Sequence, residues 1–425
     1  MQENKLFTNI IGYEKEKKTL TRLVDILNNT NKYKKLGARV PYGLLIYGDP
    51  GVGKTTIVKE LINNLNRKSY IVRKVKTDGK FVSYLNEIFE KAKQNQPSII
   101  FLDDLDKFSE VKAGSTNEEE YVAIQGLIDD IRDQYLNVFV VATANDIDSL
   151  PNSLKRAGRF DIKIHMDLPN EKESYEILKY YLSNKKIDKN VNIKNISLIL
   201  SNVSCADLEK VTNQAAIYAG YENKTEIGME DLVRSSLEFK YKVNGDDIEK
   251  KDKYNINIAY HEAGHVLIGE LLEQHSVSFV TIAESDSDDK GFTTYHINDY
   301  YWQDVKFMIN RIKTLLAGKA ATEIVYNTCD TGANSDLHRA YDIVERFVDN
   351  YCMFNFNSWF RRSSETSEKV KQSKDDKINE LMTKYYHEVK ELLIKNRSKL
   401  DRLAHELNNK KILFQDEIEA ICLNN

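Results

Sequence analysis

The segment "GDPGVGKT" (residues 48–55) constrains the fold more than any other. It follows the apolar run "GLLIYG" (43–48) and precedes a stretch with helical spacing. A G-x-x-x-x-G-K-[ST] sequence in that setting is a loop whose backbone N–H groups cradle phosphates at the start of a helix. Gly48, Asp49, Pro50, Gly51, Val52, Gly53, Lys54, Thr55 and Thr56 are therefore the expected nucleotide-binding residues. Lys54 supplies charge to the outer phosphates and Thr55 offers a ligand to Mg²⁺.

A phosphate loop of this kind needs a parallel sheet around it. "SIIFLDD" (98–104) and "NVFVVATAN" (137–145) are short, β-rich and bounded by polar residues, so with 43–48 they read as buried parallel strands alternating with helices. Asp103 ends the second strand, where a carboxylate holds Mg²⁺ through water. Asn145 ends the third, within reach of the γ-phosphate or the attacking water. "RAGRF" (156–160) places Arg156 and Arg159 on a surface turn. Next to a nucleotide site such a pair suits the cations that a neighbouring subunit inserts at the γ-phosphate.

The domain reading is 1–170 for the nucleotide-binding part, 171–240 for a small helical lid, 241–255 for a charged linker, and 256–425 for a mainly helical second domain. Within the last, 276–297 reads as β and "SSETSEKVKQSKDDK" (363–377) as a mobile loop. With 61 Lys+Arg against 65 Asp+Glu, the net charge of −4 gives no sign of a nucleic-acid or membrane-surface partner. The four cysteines form no C-x-x-C pair, which suits a reducing compartment. No apolar run approaches the ~20 residues that span a bilayer, so no transmembrane segment is expected.

"YHEAGHV" (260–266) carries the second chemistry. On a helix, residues four apart are offset by about 40° and 6 Å, so His261 and His265 share a face and can ligate one Zn²⁺. Glu262 beside them suits a base that takes a proton from water. The flanks in "INIAYHEAGHVLIGELL" are apolar, which sets these polar groups in a face otherwise destined for burial. A third ligand is required. The extended pattern with a third histidine fails, because 268 is Ile and 271 is Leu. Glu323 in "AATEIVY" and Asp336 in "TGANSDLHRAYDIVERF" both qualify, and spacing alone does not choose between them. His275, near the helix end, is the weakest candidate.

Two motif sets resemble one family. "FTNIIGYEKEK", "YKKLGARVPYGLLIYGDPGVGKT", "SIIFLDDLD", "VVATANDIDSLPNSLKRAGRFD" and "CADLEKVTNQAAIYA" are similar to the AAA+ module of FtsH-type proteases. "AYHEAGH", "LLAGKAATEIVY", "DTGANSDLHRA" and "ILFQDEIEAI" resemble, in the same order, the peptidase domain of that family. The resemblance implies an α/β AAA+ module followed by a helical zinc metallopeptidase domain, with Zn²⁺, ATP and Mg²⁺ as cofactors. It implies a homo-oligomeric ring, usually a hexamer, that degrades polypeptides, with Arg156 and Arg159 acting in trans. It also implies Asp336 as the third zinc ligand and Glu262 as the base. "GFTTY" (291–295) suits an edge strand that pairs with extended substrate, although an ordinary sheet edge reads the same way.

The chain departs from the family at three points. The glutamate that orients the attacking water is Asp104 here, one methylene shorter, and a misplaced group can cost about 10²-fold in rate. The aromatic-hydrophobic-glycine pore triplet is missing from 72–89, where Phe81 and Val82 are weak substitutes. The membrane anchor usual before the ATPase is not in this sequence, so the expected location is cytoplasmic. Two rival readings follow: a zinc peptidase whose nucleotide site serves assembly or switching, and a remodelling ring with a vestigial protease domain.

Overall fold

The computed structural model describes residues 6–74, 80–108, 111–112, 115–116, 119–134, 136–243, 255–284, 290–296, 304–328, 332–351 and 367–423. In chain order the elements are α1 (Glu14–Asn28), α2 (Thr30–Lys34), β1 (Gly43–Tyr47), α3 (Lys54–Asn63), β2 (Lys68–Arg73), α4 (Phe81–Gln94), β3 (Ser98–Asp103), the short β4 (Val111–Lys112) and β5 (Ser115–Thr116), α5 (Glu119–Asp133), β6 (Val138–Ala144), β7 (Ile162–His165), α6 (Glu171–Leu182), α7 (Ile193–Ile199), α8 (Cys205–Tyr221) and α9 (Met229–Tyr241). They continue with α10 (Asn255–Leu272), β8 (Val277–Glu284), β9 (Lys290–Tyr295), α11 (Val305–Tyr326), α12 (Asn334–Asp349), α13 (Glu368–Lys395), α14 (Arg397–Lys410), β10 (Ile412–Phe414) and α15 (Gln415–Cys422). The chain divides into two compact units, Met1–Ile193 with Leu200–Gly228, and Lys194–Ile199 with Met229–Asn425.

The first unit is built on a parallel sheet in the order β2-β3-β6-β1-β7. Every residue of β3 and β6 is buried, because helices cover both faces. Strand alternation divides the core in two. Leu45, Ile100 and Val140 pack with Leu85 and Phe89 of α4 and Ile124 and Ile128 of α5. Leu44, Phe101 and Val141 pack on the other face with Leu20 of α1 and Val58 of α3. The three strands expected from apolar runs are present. β2 and β7 lie at the sheet edges, and their partly exposed sequences "KSYIVR" and "IKIH" carry too little apolar signal to stand out.

The second unit packs α10, α11 and α14 against an antiparallel sheet in the order β10-β8-β9. A further core joins Ile312 and Leu316 of α11, Val344 and Phe347 of α12, and Ile378 and Leu381 of α13. The loop expected over 363–377 is corrected from Glu368 onward, where α13 begins; 363–366 lie outside the described residues. Charge density concealed a helix whose buried stripe starts only at Ile378 and runs through Leu381, Tyr385, Val389 and Leu393. Lys371–Glu368 and Lys377–Glu380 pairs brace its exposed first turns. Most of the expected linker (244–254) also lies outside the described residues. No helix among the described residues is long and apolar enough to cross a membrane.

Candidate nucleotide and metal sites

The first site lies at the C-terminal ends of the parallel strands, where ligands bind in open α/β sheets. The loop from Gly48 to Gly53 joins β1 to α3, and Gly48, Gly51 and Gly53 all take positive φ. It borders a cavity of about 560 Å³ whose lining includes Lys54, Thr55, Asp104 and Asn145 on the polar side and Tyr13 and Tyr181 on the aromatic side. Lys54 is buried, and its ammonium donates to the carbonyls of Gly48 and Asp49 at 2.8 Å each and to Asn145 Oδ1 at 2.9 Å. Burial lowers its pKa, partly opposed by Asp104, Asp106 and Asp49. Asn145 in turn donates to Asp106 Oδ2 at 2.9 Å.

Asp103 Oδ1 accepts hydrogen bonds from Thr55 Oγ1 (2.9 Å) and Thr143 Oγ1 (2.8 Å). Its other oxygen is held by the Arg73 guanidinium, through Nε at 3.1 Å and through Nη2. Burial pushes this carboxyl up, but the bonds from Arg73, Thr143 and Thr55 outweigh it and hold it below the usual carboxylate range. Thr143 also accepts the backbone N–H of Asp104 at 2.9 Å, so a single hydroxyl couples the two acidic positions. Asp104 sits at φ 58, and its carboxylate accepts from Lys107 at 2.9 Å.

Sequence reasoning passed over Thr143 and Arg73. The signal for Thr143 was a hydroxyl residue among the fully buried β6 positions, directly before "AN". Arg73 had none, since its role depends on β2 pairing with β3 to bring it opposite Asp103. Neither Arg156 nor Arg159 lines the cavity. Arg159 is tied within its own chain to Asp129, through Nε at 3.1 Å and Nη2 at 2.7 Å, whereas Arg156 is exposed. Phe81 is a core residue at the start of α4, edge-on to Phe108 with ring centroids 5.0 Å apart, and Val82 beside it is half-buried.

The second site is assembled from three helices. His261 and His265 project from α10, and Asp336 lies in the first turn of α12. Their ligand-type atoms all lie within 4.8 Å of one another. Asp336 Oδ2 is 3.3 Å from His261 Nε2 and 3.0 Å from His265 Nε2, and the two Nε2 atoms are 3.1 Å apart. His265 Nδ1 donates to the Thr314 carbonyl at 2.7 Å, which leaves Nε2 to offer a lone pair. Lone-pair atoms crowded this closely call for a cation, and tetrahedral zinc about 2.0–2.1 Å from each ligand spaces neighbouring ligands about 3.3 Å apart. The donor set fits that ion. Without it, burial disfavours charge on His265, but the hydrogen bond and charge of Asp336, with Glu262, raise its pKa to about 9.

The third helix supplies room rather than a ligand. A Cβ at Gly318 of α11 would lie 2.5 Å from His261 Nε2 and 2.6 Å from His265 Nε2. Glu323, five residues further on, is committed elsewhere: it accepts from Lys390 at 2.9 Å and from the Tyr386 hydroxyl. His275 is also remote, with its ring against Glu419 at 2.7 Å. Glu262 is buried beside the cluster and accepts from Thr293 Oγ1 of β9 at 2.7 Å. Burial raises its pKa above the ordinary value, opposed by His265 and His261. Sequence reasoning missed Gly318 and Thr293, because each matters only through an element that is distant along the chain.

These two sites define a chain that carries both a phosphate-loop nucleotide module and a metallopeptidase-like centre. Residues 44–168 match the ATPase family associated with various cellular activities (AAA), and residues 248–421 match peptidase family M41. The ATP-dependent zinc metalloprotease FtsH 2 of Thermoanaerobacter sp. (strain X514) is 31% identical, over 98% of this chain and 83% of its own length. The FtsH proteins of Karelsulcia muelleri (strain DMIN) and Bacillus subtilis (strain 168) are 31% and 30% identical over 98% of this chain, and over 71% and 69% of their own lengths. The chain belongs to the FtsH family of ATP-dependent zinc metalloproteases.

Proposed function

We propose that this protein is an ATP-dependent zinc endopeptidase that degrades polypeptides, with ATP hydrolysis in a homo-oligomeric ring, a hexamer as in the family reading, driving substrate to the peptidase centre. The observation that carries the reading is the convergence of His261, His265 and Asp336 beside the buried Glu262. Zinc held by those three side chains would supply Lewis acidity to water and to the scissile carbonyl. Thr314 orients His265 through its Nδ1–H. Glu262 takes the proton from the attacking water and returns it to the leaving amine.

In the nucleotide module, Lys54 and the loop amides hold the phosphates of ATP, while Thr55 and Asp103 hold Mg²⁺. Asp104 and Asn145 direct water to the γ-phosphate, and Arg156 and Arg159 act from the neighbouring subunit, Arg156 being the exposed one. Cys205 and Cys422 are free thiols, which agrees with a cytoplasmic location.

A second reading, a zinc peptidase whose nucleotide site serves assembly or switching, draws on two observations: Phe81 packs in the core, and Asp104 is engaged by Lys107. One comparison separates the readings. The protein is incubated with a folded and an unfolded substrate, with ATP or ADP, with or without a zinc chelator. The expected result is chelator-sensitive cleavage that requires ATP for the folded substrate. Peptide cleavage indifferent to nucleotide would favour the second reading. Intact ATPase activity with no cleavage under any condition would mark a remodelling ring.

A further inference from the structure

We propose that Thr293 is a positioning residue for Glu262, a role that rests on Glu262 being the base. The Thr293 hydroxyl donates to Glu262 Oε2 at 2.7 Å. Glu262 lies on α10 and Thr293 on β9, so the contact joins two elements rather than neighbours on one helix. The strand is brought close by Gly291, which takes φ 88; a Cβ there would meet Ile258 at 2.8 Å and Glu262 Cγ at 3.2 Å. Two residues on, the same face delivers Thr293, opposite Val280 of β8. The alternation is visible in the next residue, whose hydroxyl turns back to the sheet: Thr294 Oγ1 donates to the Phe279 carbonyl at 2.9 Å.

A carboxylate has a soft terminal torsion. In a buried site, its direction is set by whatever it is hydrogen-bonded to. Threonine suits the task because its β-branched side chain is stiff at χ1, so the donor is aimed by the strand. With Oε2 pinned, Oε1 is the oxygen left to take a proton from water. The hydroxyl donates to the charged form of the base and never touches the reacting atoms itself.

The test uses the full chain, with Thr293→Val, which keeps the shape and removes the hydroxyl, Thr293→Ser, which restores it, and Glu262→Gln in parallel. Peptide cleavage, bound zinc, ATP turnover and thermal melting are measured for each. For Thr293→Val, kcat is expected to fall about 10- to 100-fold with KM within about 2-fold. Zinc content, ATP turnover and melting are expected to match the parent, and Thr293→Ser to recover to within about 3-fold of parental kcat. Parental kcat in Thr293→Val overturns the proposal. So does an equal loss in Thr293→Ser, or a loss that tracks released zinc or a lowered melting temperature, since each marks a structural rather than a positioning role. Should Glu262→Gln itself still cleave, the base assignment fails; should it be inactive while Thr293→Val is not, only the positioning role fails.

Discussion

Replacing Glu262 with Gln is expected to lower proteolysis by about 10²- to 10⁴-fold, the usual worth of general acid–base catalysis. ATP turnover and bound zinc should stay at parental levels. The single carboxamide of Gln occupies the same space as the carboxylate, and its oxygen can still accept from Thr293. What it loses is the capacity to take a proton. Glu262 makes no ligand contact within the His261–His265–Asp336 cluster, so the metal has no reason to leave. The nucleotide residues belong to the other compact unit. Cleavage assays beside ATPase and metal measurements check all three outcomes, and a variant that still digests peptides would remove Glu262 from the chemistry.

Gly318→Ala is the second large effect, and its sign runs against helix propensity. In the interior of a helix, Ala in place of Gly stabilises by about 1 kcal/mol. At Gly318 the added methyl would sit 2.5–2.6 Å from the Nε2 atoms of both imidazoles, closer than real Cβ contacts allow. The rings must turn aside, and the cluster loses its geometry. Zinc affinity is expected to fall at least about 100-fold, since displacing ligands costs more than the 10- to 100-fold of losing an outer partner. Peptidase activity should fall with it. Gly126 is the control: it lies within α5, and a Cβ there meets nothing within 4 Å. Gly126→Ala should leave zinc and cleavage unchanged. Titration of zinc into the chelated variants separates the two positions.

The fold and the sites are legible in the sequence where chemistry and local geometry coincide. The phosphate loop is contiguous, and its strand and helix flank it directly. His261 and His265 needed only the helical repeat to share a face. Where chemistry depends on pairing between distant elements, the sequence is silent. Arg73 meets Asp103 because β2 lies next to β3, and nothing in "KSYIVR" announces that register. Spacing left Glu323 and Asp336 as equals; they part company only once α13 supplies Lys390 and Tyr386 to Glu323. The first turns of α13 read as loop because their charge resembles that of a solvated segment, while the apolar stripe that anchors the helix begins only at Ile378.

A metallopeptidase centre here requires that α10 and the first turn of α12 together hold one zinc ion. Metal analysis of the purified chain beside its Asp336→Ala and Glu323→Ala variants tests it most directly. The predicted result is about one zinc per chain in the parent and in Glu323→Ala, with zinc lost from Asp336→Ala. Zinc retained by Asp336→Ala and lost from Glu323→Ala would contradict it, as would a parent chain that binds no zinc when the ion is supplied.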